Sequence, residues 1–164
     1  MKRIFVIIAL LISFTGFSQS FTLAELIKIT KSSDDNFDTY ATQRGFTFYS
    51  NETDDTEVEN QSYVYKSNDV KIAYLTKYSF LTNKYEKSSM VSFQTINSSA
   101  YLKIKNELKA NGFKFLNKDL HNGTTFLNYS KGKIEISLAS TSDESNGSYR
   151  QRTSYEISVS ILNE

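Results

Sequence analysis

The sequence predicts an α+β protein of two tandem units, each a helix or helix pair followed by a four-stranded antiparallel sheet, with the helices on one face. Two observations lead to this fold class. A helix-like segment that ends at glycine and continues as a Phe-x-Phe strand occurs twice, at Gly45 and at Gly112. Apolar and polar residues also alternate strictly over 134–138 and 155–161, the pattern of strands with one buried face. The units then share one eight-stranded sheet or form two four-stranded sheets.

Each of these two joints has the chemistry of a helix C-terminus. The residue after the helix end often adopts a left-handed backbone, and glycine does so at almost no cost. In the Schellman arrangement the next residue packs back onto the last turn, so Phe46 and Phe113 are expected to cover the residue four positions before each glycine. Phe48 and Phe115 follow at the strand period, and we therefore expect them on the same buried face.

The first residues have the layout of a secretory signal peptide. Two basic residues are followed by an apolar run from Ile4 to about Phe14 and then by a short segment of small and polar residues. We place the signal peptide at residues 1–18, with cleavage after Ser18, or alternatively after Gln19. The apolar run is too short to span a bilayer comfortably, so no stable membrane insertion is expected after processing. The predicted location is periplasmic or secreted.

The first unit, residues 21–96, opens with a capping box. Thr22 is the predicted N-cap and Glu25 the N3 residue, while Phe21 and Leu26 supply the hydrophobic staple. A second helix follows a polar break and ends at the first joint. The strand-like segments of this unit are 46–49, 61–66, 70–80 and 88–95.

The second unit, residues 97–164, repeats this order. Its helix begins at Asn97 or Ser98, carries Ile104 and Leu108 on one face, and ends at the second joint. The two units are expected to form one compact domain. The strand-like segments of this unit are 113–117, 124–129, 133–140 and 152–162.

This element order, with its two Gly-Phe joints, resembles the β-lactamase-inhibitor-protein-like fold. That resemblance implies tandem units that each place helices on a four-stranded antiparallel sheet, and it covers nearly all of the chain after the signal peptide. The chain lacks the cysteines of the inhibitor family. Its Ser-Gln signal ending is also similar to those of small secreted Bacteroidetes-type proteins. This similarity implies an envelope location but does not point to any particular activity.

Composition excludes several kinds of chemistry. The chain has no cysteine, which removes thiol catalysis, thiolate metal sites and lipoprotein anchoring. A formal net charge of +1 gives no strong attraction to nucleic acid. His121 is the single histidine, so it cannot assemble a usual zinc site. The acidic segment 51–60 offers oxygen ligands for Ca²⁺ but lacks the EF-hand spacing, and we predict no metal and no cofactor.

The function predicted from these observations is non-catalytic binding. An open sheet face would present Tyr, Ser, Thr and charged side chains to a protein partner of the envelope or outside the cell, because Tyr and Arg are the residues that interfaces favour. One alternative is an envelope hydrolase that uses acidic residues, and another is a binder of a small apolar ligand between the units. The candidate partner-binding residues are Tyr49, Tyr85, Tyr149, Arg150 and Arg152.

Overall fold

The computed structural model describes residues 20–53, 58–67, 70–80, 87–143 and 152–163. The predicted signal peptide therefore lies outside the described residues. Within them the chain forms three helices: two precede the four strands of the first half, and one precedes the four strands of the second half. The helices are α1 (Leu23–Thr30), α2 (Asp34–Gln43) and α3 (Ser98–Ala110). The strands are β1 (Thr47–Thr53), β2 (Val58–Ser67), β3 (Val70–Phe80), β4 (Lys87–Thr95), β5 (Lys114–His121), β6 (Thr124–Lys131), β7 (Ile134–Asp143) and β8 (Arg152–Leu162).

All eight strands belong to one antiparallel sheet in the order β1-β2-β3-β4-β8-β7-β6-β5. The last strand of each half lies at the centre, where Phe93 of β4 is opposite Ile157 of β8 and Ser92 is opposite Ser158. Of the two arrangements that the sequence left open, the single sheet is the one observed. Among the described strands, the first strand of each half, β1 or β5, is an edge strand of this sheet.

The three helices pack on one face of the sheet, and the core fills the space between them. Phe21 lies at its centre, with its ring 4.8 Å from that of Phe93 in an edge-to-face arrangement. Facing strands supply aliphatic residues such as Leu75, Leu138 and Ile157, none of which is accessible to solvent. Burial of these apolar side chains holds a chain without cysteines together.

The corner between α1 and α2 is fixed to the sheet by polar contacts. Lys77 of β3 is buried, donates a hydrogen bond to the Ser32 carbonyl and lies 2.7 Å from Oδ1 of Asp34. The Ser89 hydroxyl donates to the Thr30 carbonyl at 2.9 Å. A buried ammonium without such partners would cost several kcal/mol, so these groups determine where the corner sits.

Both predicted joints are confirmed as Schellman caps. Gly45 has φ +80° and Gly112 has φ +76°. The N–H of Phe46 donates to the Ala41 carbonyl and that of Phe113 to the Leu108 carbonyl, each at 3.0 Å. The second bond of the motif, from each glycine N–H to the carbonyl three residues earlier, measures 2.9 Å in the first half and 3.2 Å in the second.

The burial expected for Phe48 and Phe115 is wrong. Both side chains are 55% exposed, because they lie on the two edge strands, at the limit of the helical layer. Each ring instead packs edge-to-face on a tyrosine of the neighbouring strand, Tyr63 at 5.6 Å or Tyr129 at 5.5 Å. Strand periodicity correctly predicts that both side chains lie on the helix-bearing face of the sheet, but it does not show how far the helices extend over that face.

Candidate functional site: the polar row of the open sheet face

The face of the sheet opposite the helices carries an uninterrupted row of small polar residues. The register places one such residue from every strand side by side, so the row crosses the whole sheet. At about 4.8 Å per strand, seven steps give it a length of roughly 34 Å. We call this set the polar row; from β1 to β5 it consists of Ser50, Ser62, Thr76, Ser92, Ser158, Ser137, Asn128 and Asn117.

Larger side chains flank the polar row on both sides in the first half. Tyr74 and Tyr78 of β3 stand on either side of Thr76, and Met90 and Gln94 of β4 on either side of Ser92. Ser92 is itself buried, so the row forms the floor of a shallow groove. Burial, followed by the nearby charge of Glu156, raises the pKa of the Tyr78 phenol.

The second-half part of the groove is more polar. The Glu156 carboxylate accepts hydrogen bonds from Ser92 at 2.7 Å, from Ser158 at 3.0 Å and from Gln94 at 3.3 Å. These bonds fix the carboxylate above the centre of the sheet. Two shallow clefts of about 270 Å³ and 310 Å³ occupy this region. Their side chains are mostly hydroxyls, amides and carboxylates, among them Asn117, Ser137, Ser160, Thr141 and Glu135.

Each end of the polar row is a β-bulge that exposes a large side chain. The register shifts between Phe48 and Ser50 in β1, and again between Phe115 and Asn117 in β5. The extra residues are Tyr49, 53% exposed, and Leu116, 54% exposed. A bulge redirects a side chain at a strand edge, and here both bulges provide an apolar group beside the row.

Tyr49 is packed with two other residues of the first half. Its ring lies 6.1 Å from the Tyr74 ring at an interplanar angle of 78°. The Lys71 ammonium lies 4.1 Å from the centre of the Tyr49 ring and 5.8 Å from that of Tyr74. The Tyr49 hydroxyl, as a hydrogen-bond acceptor, raises the pKa of Lys71. The three side chains form an ordered cation–aromatic group at the rim of the sheet.

Of the five predicted partner-binding residues, Tyr49 is the one whose side chain belongs to the described part of the chain. Tyr85, Tyr149 and Arg150 lie outside the described residues. Arg152 begins β8 with its backbone opposite Asp143, and its side chain is outside the described part. Sequence reasoning missed the polar row, because its members are isolated serines, threonine and asparagines that only strand register brings together.

The sequence offers two candidates for metal binding, His121 and the acidic segment 51–60. His121 is exposed at the end of β5, where its Nε2 lies 3.1 Å from Nδ2 of Asn122. Residues 54–57 of the acidic segment fall outside the described residues. Among those that are described, no three His, Cys, Asp or Glu side chains are grouped closely enough to hold a metal ion.

A separate cleft of about 220 Å³ lies on the helix side of the molecule, where the two halves meet. We call it the helix-side cleft; it is lined by Leu23, Ala24, Ile27, Asn111, Phe113, Lys131 and Ile134. Within the described ranges, none of the helices has the length and apolar character needed to cross a bilayer. The chain matches no protein-family model, no curated protein and no solved structure with which it was compared.

Proposed function

We propose that the protein is a non-catalytic binding module of the bacterial envelope that receives an extended segment of a protein partner along the polar row. The observation that carries this proposal is the continuity of the row over all eight strands, with an exposed apolar residue at each end. A groove of this shape suits a chain in extended conformation, whose backbone groups find hydroxyl and amide partners along the floor.

The side chains around the groove support a protein partner. Tyr49, Tyr74 and Tyr78 offer large rings with few rotatable bonds, which lose little entropy on binding. Glu156 and Glu135 add acceptors for backbone or side-chain donors. The strands hold all of these groups in place before the partner arrives, so little ordering is needed on binding.

The envelope location and the tandem-unit organisation belong to the same proposal. The signal-like first 18 residues suggest export. Measuring the mass of the mature protein gives the cleavage site and so tests the export. Matching Schellman caps at Gly45 and Gly112, and matching bulges at Tyr49 and Leu116, support an internal duplication. The β-lactamase-inhibitor-like arrangement stays an interpretation of the element order.

The experiment that tests the binding site is photo-crosslinking in cells that produce the protein. A p-benzoylphenylalanine at position 49 is compared with one at position 102, since Tyr49 and Leu102 are 53% and 51% exposed but lie at the rim of the groove and on α3 respectively. We expect one discrete protein adduct from position 49 and none of the same mass from position 102.

A second variant asks whether the partner occupies the whole groove. Ser137→Tyr fills the floor in the second half, far from the crosslinker at position 49, and should abolish the adduct. Ser99→Tyr on the exposed surface of α3 is the matched control and should leave the adduct intact. The proposal fails if both positions yield the same adducts, or if Ser137→Tyr folds normally and has no effect.

A further inference from the structure

The helix-side cleft combines an apolar wall with a cation and lies on the opposite side of the sheet from the polar row. Leu23 and Ile27 of α1 form one wall, and Phe113 and Ile134 of the second half form the other. Ile27 and Ile134 are only partly buried, although both pack against the main core. Clefts with mostly apolar linings and a few placed polar groups are typical sites for small ligands.

The cation of this cleft is Lys131, the last residue of β6. Its ammonium donates to the Asn111 carbonyl at 2.8 Å and lies 6.0 Å from the centre of the Phe113 ring. An ammonium has three N–H donors, and the bond to Asn111 uses one of them. The contact with the α3 C-terminus therefore positions the charge beside the cleft and uses only one of its three donors.

The nearby N-terminus of α1 does not compete for an anion. Oε2 of Glu107 on α3 already accepts a hydrogen bond from the Leu23 N–H at 2.6 Å. The Thr22 hydroxyl accepts from the Glu25 N–H at 3.2 Å, completing the helix cap. Recognition of an anion at this cleft thus depends on Lys131 and not on the helix end.

We propose that the helix-side cleft binds a small amphipathic monoanion, with its carboxylate on Lys131 and its aliphatic chain against Leu23, Ile27 and Ile134. The volume of about 220 Å³ limits the buried part of the ligand. At about 30 Å³ for each small group, the cleft holds roughly seven heavy atoms. With the carboxylate held outside the cleft by exposed Lys131, the buried part is the aliphatic tail, and a tail of about seven carbons, as in octanoate, satisfies both the charge and the size.

The test uses octanoate as the probe and the isoleucine methyl signals of the full chain as the readout. Octanoate should shift the δ-methyl resonances of Ile27 and Ile134 in a saturable manner. Ile72 of β3 lies outside the cleft and should not respond. Acetate has the same head without the tail, and octyltrimethylammonium has a tail of nearly the same length with the opposite charge; neither should saturate these shifts.

Two pairs of variants separate charge from shape. Lys131→Met should weaken octanoate binding about tenfold or more, the usual size of a lost charge-assisted hydrogen bond, whereas Lys118→Met on exposed β5 should not. Ala24→Leu should block the cleft, and Ala110→Leu, at another exposed helix position, should leave it open.

Urea midpoints establish that each variant is folded. Equal binding of octanoate and octyltrimethylammonium, or unchanged binding by folded Lys131→Met, would overturn this inference. Because the cleft and the polar row lie on different faces, either proposal can fail while the other stands.

Discussion

The two glycine joints share one local geometry but lie in different surroundings. At Gly45 a methyl group would come 3.3 Å from Cε2 of Tyr65, whereas at Gly112 nothing lies within 4 Å. In the first half the residue after the glycine is Phe46, whose ring centre lies 6.0 Å from that of Phe21 and 5.7 Å from that of Tyr65. In the second half the equivalent residue, Phe113, borders the helix-side cleft. The same cap therefore closes the core in one half and leaves a cleft beside it in the other.

The largest effect expected from this difference is at the two phenylalanines. Phe46→Ala should lower the free energy of unfolding by about 3–5 kcal/mol, because Phe46 is 3% exposed and contacts two rings. Phe113→Ala should cost about 1 kcal/mol less, since Phe113 is 9% exposed and the existing cleft lets its surroundings relax. Urea denaturation followed by circular dichroism measures both. Equal losses would show that the surroundings of the joints do not differ energetically.

A smaller effect is expected at the glycines themselves. Gly112→Ala should cost about 1 kcal/mol, the usual penalty of a left-handed alanine. Gly45→Ala should cost about 2 kcal/mol, because the new methyl group also presses on Tyr65. The control is the Tyr65→Ala background, in which the two glycine substitutions should cost the same. An excess at Gly45 that persists there would mean that Tyr65 is not its cause.

The parts of the fold that the sequence predicts are those set by local chemistry. The capping box at Thr22, the two Schellman caps and the alternation in β7 and β8 each depend on residues a few positions apart. The exposure of Phe48 and Phe115 depends instead on where the helices stop, which no local pattern encodes. The burial of Lys77 likewise depends on the Ser32 carbonyl, 45 residues away.

The candidate site shows the same division. Residue type alone makes Tyr49 a candidate, but its bulge, its contact with Tyr74 and the position of Lys71 follow from strand pairing. Identifying the polar row requires the register of all eight strands. A run of isolated serines in half-exposed strands carries no signal until those strands are aligned, so no reading of single segments could have found it.

The smallest expected effect concerns the N-terminal caps of α1 and α3, the first helix of each half. α1 is capped by a reciprocal box with the ionisable Glu25, whereas α3 is capped by the neutral amide of Asn97, which accepts from the Ser99 and Ala100 N–H groups at 3.0 and 3.3 Å. The Asn97 cap should contribute about 1 kcal/mol at every pH, and Asn97→Ala measures it. The Glu25 cap should contribute a pH-dependent amount.

The sign of that dependence follows from the environment of Glu25. Burial raises the pKa of its carboxyl, but hydrogen bonds from Thr22 and Tyr40 and the charge of Arg44 outweigh burial and hold this pKa below 4.5. A carboxyl with a depressed folded-state pKa stabilises the protein above its unfolded pKa, and this contribution is lost as the pH falls through the folded value. Glu25→Gln should therefore lower the urea midpoint at pH 7 and reduce the fall of the midpoint below pH 4.5, which is the acid limb of the curve of midpoint against pH. Asn97→Ala should shift this whole curve without changing its shape. An acid limb that is identical in Glu25→Gln and the parent protein would assign the acid sensitivity to other carboxylates.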